Sequence, residues 1–272
     1  MNKFKKTILI VFGSLLGLIW ISPFYLMIVN SLKSQLDIFT NTYGLPKVTV
    51  FTNYVQAWND LNFLHTFLNS LVITVISVAV IVFFSSLAAY ALQRVKSKVS
   101  GVILTLFIAA MLIPFQTIMI PLVSVFGRIQ MLNPPGLIFM YLGFGSSLSI
   151  FLYHGAMKSI PYALDEAAVI DGADRFQVYW HIILPMLKPT SVTVAVLNTM
   201  WIWNDYLLPS IVIGGNPSTQ TIPLQMFNFF GEYMKKWNLG LAGLTLAIIP
   251  VIVFYFFMQR QILKGISDGA VK

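Results

Sequence analysis

The residue types that most often perform catalysis or bind metals are sparse in this chain and lie far apart. The chain contains no cysteine, which excludes disulfides, thiol catalysis and cysteine metal sites. Its histidines, His65, His154 and His181, are too widely spaced to suggest a metal cluster. We find no nucleophile paired with a base and no G-x-x-x-x-G-K-S/T phosphate loop, since Lys264 stands before Gly265. The sequence therefore argues against an enzyme and against hydrolysis of ATP by this chain alone.

Four of the nine acidic residues fall in the segment 158–189: Asp165, Glu166, Asp171 and Asp174. Pro161 suits a helix start, and the alanine-rich stretch after it favours a short helix with two carboxylates near its positive end. Gly172 supplies the turn that ends this helix, and a second helix is predicted over Arg175–Ile183. This helix–glycine–helix shape alone fits either a solvated amphipathic connector or a docking element, whose alanines would let another surface approach closely.

The composition indicates which solvent surrounds the rest of the chain. Of the 272 residues, 57% are hydrophobic and 10% are charged, and the mean hydropathy is +0.80. Soluble domains carry roughly 25% charged residues. A soluble fold of this size could not hide so much apolar surface, because folded proteins still expose many of their atoms. Most of this chain is therefore expected to lie in lipid, as an all-α polytopic membrane protein.

Apolar runs long enough to cross a bilayer recur along the chain. A hydrocarbon core of roughly 30 Å needs about 20 residues of helix. The six candidate spans are 7–29, 69–92, 102–126, 137–153, 190–212 and 239–258. The basic start, Met1–Lys6, could open a signal peptide, but the apolar run after it is too long and lacks a small-residue cleavage site. We therefore expect a retained first helix.

The distribution of lysine and arginine predicts the orientation, because loops rich in these residues stay cytoplasmic. One side of the predicted membrane carries twelve: Lys3, Lys5, Lys6, Arg94, Lys96, Lys98, Lys158, Arg175, Lys188, Arg260, Lys264 and Lys272. The other side carries five: Lys33, Lys47, Arg128, Lys235 and Lys236. Both termini and the segment 158–189 are therefore expected in the cytoplasm.

The residue identities in the segment 158–189 are more specific than its helix–glycine–helix shape. They read Glu166-Ala167-Ala168, then Asp171-Gly172-Ala173, then Ile182-Ile183-Leu184-Pro185. This pattern resembles the EAA loop of the membrane subunits of ABC importers, in both residues and spacing. Further matching stretches lie along nearly the whole chain: Asn69-Ser70, Ala88–Leu92, Pro114-Phe115-Gln116, Pro121-Leu122, Trp203–Tyr206 and Gly265–Lys272. Together they look like the carbohydrate-uptake branch, similar to the shorter membrane subunit of the maltose transporter.

The resemblance implies a sugar permease, for an oligosaccharide above all, that works in a bacterial plasma membrane with several partners. These would be a second homologous permease subunit, two cytoplasmic ATPase subunits and an extracytoplasmic solute-binding protein. ATP and Mg²⁺ would be bound by the ATPase subunits, with no cofactor in this chain. The coupling residues implied by the motif are Glu166, Ala167, Ala168, Asp171, Gly172 and Ala173.

Polar groups and prolines within the spans are candidates for the translocation pathway. Prolines 114, 121, 209 and 250 each remove a backbone hydrogen bond and can be simple kinks. Alternatively, Pro114 and Pro121 mark mobile segments that line the pathway. The lone carboxylate near a span, Asp205, is expected either at the outer interface or in a cavity. Amides and aromatic rings suit sugars. The candidate pathway residues are Pro114, Gln116, Asn198, Trp201, Asn204 and Asp205.

The alternative from another class is a secondary transporter driven by an ion gradient. Such a protein needs coupling carboxylates or histidines within its spans and internally repeated halves. Here the acidic residues gather in the loops, and no repeat is evident. A membrane enzyme or a sensor is less well supported, because neither a catalytic cluster nor a signalling domain is apparent.

Overall fold

The computed structural model describes residues 3–95, 97–230 and 236–270, and this part of the chain is helical with no β-strand. Four of its helices are long and apolar enough to cross a membrane: Lys5–Ser31, Phe63–Arg94, Pro134–Met157 and Trp237–Gln259. Two further pairs of helices reach this length only when each pair is counted across a sharp bend. The predicted all-α membrane fold is confirmed, whereas the count of six spans stays a prediction.

The helices follow one another with short connections. In chain order they are α1 (Lys3–Ser31), α2 (Gln35–Thr40), α3 (Thr52–Asp60), α4 (Phe63–Arg94), α5 (Lys98–Ala110), α6 (Phe115–Arg128), α7 (Pro134–Met157), α8 (Ala163–Ile170), α9 (Arg175–Val178), α10 (Leu184–Met186), α11 (Lys188–Asn204), α12 (Leu207–Val212), α13 (Ile222–Phe230) and α14 (Trp237–Ala270). A π-helical turn, Tyr179–Ile183, joins α9 to α10, and a 3-10 turn, Pro217–Thr219, follows α12.

The chain divides into two compact units, of which the first comprises Met1–Thr66 and Gln225–Phe254. None of the most apolar window of α1 is buried, and Trp20 is 76% exposed. A helix that is hydrophobic all round and unburied by its own chain is typical of a segment that faces lipid or another membrane subunit. Retention of this first helix stays a prediction.

A buried lysine organises the loop that follows α1 in this unit. Lys33 is completely buried, and its Nζ donates to the Oδ1 of Asn30 at 3.0 Å, to the carbonyl of Asn41 at 2.5 Å and to the carbonyl of Thr42 at 3.4 Å. Asn53 in α3 donates to the carbonyls of Ser31 and Lys33. Because each of these contacts satisfies a polar group, the loop between α1 and α3 holds a defined conformation.

The second unit, Phe67–Leu224 with Tyr255–Lys272, has α7 at the centre of its core. Fully buried side chains of α7 include Leu137, Tyr141, Tyr153 and Met157. Gly145 marks a close approach of neighbouring helices. A Cβ at this position would lie 2.6 Å from the Cδ1 of Ile81 in α4 and 2.7 Å from the Oδ1 of Asn198 in α11. Small residues of this kind let membrane helices pack tightly.

The segment 102–126, predicted as one span, contains a sharp break. Helices α5 and α6 meet at 105°, with the chain turning over residues 111–114. Pro114 has the extended ψ of 134° and precedes the first residue of α6, Phe115. Proline disfavours the helical conformation of the residue before it, so the chain does not continue as one helix through Ile113 into α6. Pro121, in contrast, is accommodated inside α6.

The segment 190–212 is also interrupted. Helix α11 ends at Asn204, Asp205 adopts an extended backbone with ψ of 128°, and α12 begins at Leu207. The carboxylate of Asp205 accepts the backbone N–H of Leu207 at 3.0 Å and the hydroxyl of Tyr141 at 2.9 Å. A carboxylate that accepts the free N–H groups of a helix start stabilises that start, so Asp205 fixes the point at which the chain turns.

The chain after α12 returns to the beginning of α4. The side-chain amide of Asn69 donates to the carbonyls of Ser218 and Gln220 at 2.9 and 3.1 Å. The hydroxyl of Ser70 accepts the backbone N–H of Ile222 at 2.8 Å. These three hydrogen bonds hold the segment 218–222 to the first turns of α4 in the second unit.

Candidate functional site

The candidate site is the segment 158–189, which we call the EAA loop. Its first helix, α8, spans Ala163–Ile170, and α9 starts at Arg175 and continues through the π-helical turn into α10. The helix–glycine–helix arrangement expected from the sequence is therefore present. The stretch Arg175–Met186 then meets α11 at a bend of 74°.

Gly172 ends α8 through a specific backbone geometry. Its φ is +91°, a value that side-chain-bearing residues rarely adopt. The N–H of Ala173 donates to the carbonyl of Ala168 at 2.9 Å, and the N–H of Gly172 donates to that of Val169 at 3.0 Å. These two bonds form a Schellman motif, the usual glycine-dependent end of a helix. A Cβ at Gly172 would meet no atom within 4 Å, so the requirement for glycine is conformational rather than steric.

The start of the second helix is fixed by Asp174. Its carboxylate accepts the N–H groups of Phe176 and Gln177 at 2.8 Å each, and the side chain of Gln177 accepts the N–H of Asp174 at 2.9 Å. This reciprocal capping box satisfies backbone donors that a helix start otherwise leaves free. Together with the turn at Gly172, it sets the angle between α8 and α9 by local hydrogen bonds.

The tip of the EAA loop presents a mixed acidic and apolar surface. Of the coupling residues implied by the motif, Glu166, Ala167, Asp171 and Gly172 are exposed, Ala173 is half-buried and Ala168 is buried. Exposed apolar side chains surround them, and Ile170 is 84% exposed. Exposed apolar surface on an ordered tip is typical of a contact with another protein. The tip is built to present side chains outward.

The adjacent carboxylate, Asp165, points the other way and is buried. Arg94, the last residue of α4, reaches it with two N–H groups, Nη2 to Oδ1 at 2.9 Å and Nε to Oδ2 at 3.0 Å. Arg94 also donates to the carbonyl of Ile160 and stands 5.5 Å from the ring centre of Tyr162. Two parallel N–H bonds to one carboxylate form the strongest geometry of this pair. We name the contact of Arg94 with Asp165 the α4 clasp.

The α4 clasp has no signature in the sequence. There, Arg94 is only a basic residue at the end of a span, and Asp165 only a charge near a helix start. The two residues lie 71 positions apart, and the sequence pattern gives no signal that pairs them. An open groove of about 980 Å³ runs beside the clasp between the end of α4 and the helices of the EAA loop.

The candidate pathway residues fall into separate places. Asp205 and Trp201 both contact Tyr141, the first through a hydrogen bond and the second through an edge-to-face ring contact with centroids 5.4 Å apart. Asn198 is buried, and its amide donates to the hydroxyl of Ser149 at 3.1 Å and to a carbonyl of its own helix. It therefore joins α11 to α7.

The remaining candidates are exposed. Asn204 lies at the end of α11, where its amide donates to the carbonyl of Met200 at 2.7 Å. Pro114 and Gln116 lie on another element, at the start of α6, and both are exposed. Among the side chains that the structure describes, those of residues 5–95, 97–227 and 236–259, no three of histidine, aspartate or glutamate lie close enough to hold a metal ion.

Comparisons with known proteins agree with this description. A probable starch degradation products transport system permease protein of Thermoanaerobacterium thermosulfurigenes is 57% identical over 98% of this chain and 97% of its own. A melibiose/raffinose/stachyose import permease protein of Bacillus subtilis is 34% identical, over 92% of this chain and 91% of its own. Both relatives therefore match this chain over almost their full lengths.

A solved structure shares the fold. It is a chain from the crystal structure of a bacterial ABC transporter involved in the import of the acidic polysaccharide alginate, with a TM-score of 0.77. The two sequences are 23% identical, and the match covers 96% of this chain and 98% of the other. The family model for the binding-protein-dependent transport system inner membrane component matches residues 81–268. This chain belongs to that family, and the resemblance first seen in its EAA loop is confirmed.

Proposed function

We propose that this chain forms one membrane half of an ATP-driven importer for an oligosaccharide that an extracytoplasmic binding protein delivers. The 57% identical relative is described as transporting starch degradation products, and the second relative as importing melibiose, raffinose and stachyose. The second description names individual sugars, and the first names the products of starch breakdown. A starch-derived oligosaccharide is therefore the first substrate to test.

The observation that carries the proposal is the ordered and exposed tip of the EAA loop. Its capping box and its Schellman turn hold α8 and α9 at a fixed angle, while Glu166 and Ile170 are left exposed. A rigid tip of mixed acidic and apolar character suits the cleft of a cytoplasmic ATPase subunit. Glu166, Ala167, Ala168, Asp171, Gly172 and Ala173 are the coupling residues of this proposal.

We place the EAA loop and both termini in the cytoplasm. The support is the count of twelve basic residues on one side of the predicted spans against five on the other. Of these residues, Lys96, Lys235 and Lys272 lie outside the described structure, as do the side chains of Lys3, Arg260 and Lys264 and the final residues of the tail. In this orientation the chain forms a single transmembrane domain over 1–272 with six spans.

The energy source belongs to the partners in this proposal. ATP and Mg²⁺ are bound by two ATPase subunits, and a second homologous permease subunit completes the pathway. This chain carries no phosphate loop in its sequence, which supports an ATP site located elsewhere. The competing function is an ion-coupled transporter, which would require a proton or sodium gradient instead of ATP.

The pathway of this proposal runs along α11 and the start of α6. Trp201, Asn204, Pro114 and Gln116 are exposed and offer an aromatic face, amides and a helix break toward a sugar. Asn198 and Asp205 would support the pathway without binding the sugar directly, because their polar atoms already form hydrogen bonds with Ser149, Tyr141 and the backbone.

The test is uptake by proteoliposomes that contain this chain, its partner permease and the ATPase subunits, with the binding protein added outside. Radiolabelled maltotriose and raffinose serve as probes, and radiolabelled glycerol as a control. We expect ATP-dependent accumulation of a sugar that requires the binding protein. Accumulation driven by a proton or sodium gradient without ATP would establish the competing function and overturn the proposal.

A further inference from the structure

One face of α4 fastens the EAA loop along its length. Four residues of α4, Phe83, Ser86, Tyr90 and Arg94, are spaced by three, four and four positions, which places them on one face of a helix. Each contacts the EAA loop, and Phe83 does so through the ring of Trp180, with centroids 6.1 Å apart.

The four α4 residues of this row make different kinds of contact, and each of them contacts one or both of two short stretches of the EAA loop. The hydroxyl of Ser86 lies 2.7 Å from that of Tyr179, which is fully buried in the π-helical turn. The ring of Tyr90 packs against Tyr179 with centroids 5.6 Å apart, and its hydroxyl donates to Asp165 at 3.3 Å. The row therefore holds both α8, through Asp165, and the second helix, through Tyr179.

The α4 clasp is the strongest member of the row. Side chains of Arg94 and Asp165 are 12% and 9% exposed, so their attraction is screened little by water. Removing one partner would leave the other as an unpaired charge in a poorly hydrated place, which is strongly unfavourable. Asp165 is buried against α4 whereas Glu166 is exposed, so replacing Arg94 leaves the exposed side chains of the tip themselves unchanged.

The opposite end of α4 is fastened as well. Asn69 and Ser70 make three hydrogen bonds to the segment 218–222, which follows α12. The 25 or so residues between Asn69 and Arg94 extend over roughly 37 Å at about 1.5 Å per residue, enough to cross a hydrocarbon core of roughly 30 Å. One continuous helix thus connects the EAA loop with a segment on the far side of the predicted membrane.

We propose that α4 is the lever of this subunit: the EAA loop and α4 move as one body, and α4 carries that motion to the segment 218–222. This proposal rests on the proposed function, because it needs an ATPase that moves the EAA loop. Arg94 is its positioning residue. In this proposal it acts through Asp165 and not through the ATPase or the sugar.

The first test compares coupling with association. Arg94→Gln should leave ATPase subunits bound and hydrolysing ATP, since the outward face of the tip is unchanged, but should lower sugar uptake per ATP at least tenfold. Asp165→Asn should do the same. The charge exchange Arg94→Asp with Asp165→Arg should recover at least a third of the uptake. Arg128→Gln, which removes an exposed arginine at the end of α6, is the control and should behave as wild type.

The second test measures the movement itself. The chain has no native cysteine, so labels can be placed at Val95 and Val169, which are 49% and 54% exposed, with cysteine-free partner subunits. The distance between the two spin labels should stay the same in nucleotide-free and ADP-vanadate-trapped transporter. In Arg94→Gln it should change between the two states.

A third variant addresses the far end. Asn69→Leu removes two hydrogen bonds to the segment 218–222. It should lower uptake per ATP while the distance between the labels at Val95 and Val169 stays constant. A wild-type label distance that changes on trapping, or full coupling in Arg94→Gln, would overturn the lever. If wild-type liposomes show no ATP-dependent uptake at all, the proposed function fails instead, and the two failures are thereby distinguished.

Discussion

Replacing Gly172 tests whether the turn between α8 and α9 matters for transport rather than for folding. The change is a series, Gly172→Asn, Gly172→Ala and Gly172→Val, at a φ of +91°. A Cβ there meets no neighbouring atom within 4 Å, so the series varies backbone strain with little change in packing. Any effect therefore reports on the conformation of the turn.

The expected magnitude follows from that φ. A residue with a side chain held in this region is strained by roughly 1 to 3 kcal/mol, which corresponds to about a 5- to 150-fold shift in a conformational equilibrium. Asparagine tolerates positive φ best and a β-branched residue least. We expect the loss of native turn geometry to increase from Asn to Ala to Val. The two hydrogen bonds of the Schellman motif would weaken in the same order.

The assay is ATP-dependent uptake of radiolabelled maltotriose by the reconstituted transporter, with ATP hydrolysis measured in the same liposomes. Gly172→Val should lower uptake at least fivefold while the subunit inserts normally and basal hydrolysis continues. Gly215→Val is the matched control, because a Cβ at Gly215 also meets nothing within 4 Å but its φ lies outside the strained range. Full uptake by Gly172→Val, or an equal loss in both variants, would refute this reasoning.

Three shorter predictions address the tip, the orientation and the core. Glu166→Lys should reduce co-purification of the ATPase subunits several-fold, because it reverses an exposed charge on the tip; unchanged recovery would contradict docking there. Cysteines introduced at Ser97 and Gly215 should react with an impermeant maleimide from opposite faces of the membrane, and labelling from one face would disprove the orientation. Gly145→Ala should lower the thermal unfolding temperature in detergent, because its Cβ would stand under 3 Å from two side chains, whereas Gly143→Ala in the same helix has open space and should not; equal temperatures would show that the helices adjust freely.

The sequence was most informative where chemistry and spacing coincide. The composition predicts an all-helical membrane protein, because a soluble fold of this size could not bury so many long apolar runs. The EAA motif led to the family, since its residues and spacing are specific. The helix end at Gly172 was also predictable, because glycine is the residue that a Schellman motif selects.

Other features depend on contacts that a sequence does not reveal. The break of the third predicted span was hinted at by Pro114, but the 105° angle between α5 and α6 depends on how these helices pack. For Asp205 both an interfacial and a cavity position were considered, and its capping of α12 was not foreseen. The α4 clasp could not be predicted, because an arginine after an apolar run is equally well explained as a residue that keeps the following loop in the cytoplasm.

The buried Lys33 has a consequence for which substitutions the loop after α1 tolerates. An ammonium group has three N–H bonds that diverge like the legs of a tripod, and here they reach three oxygen atoms from two parts of the chain. The planar fork of a guanidinium cannot reproduce this arrangement, so arginine is no conservative replacement at this position.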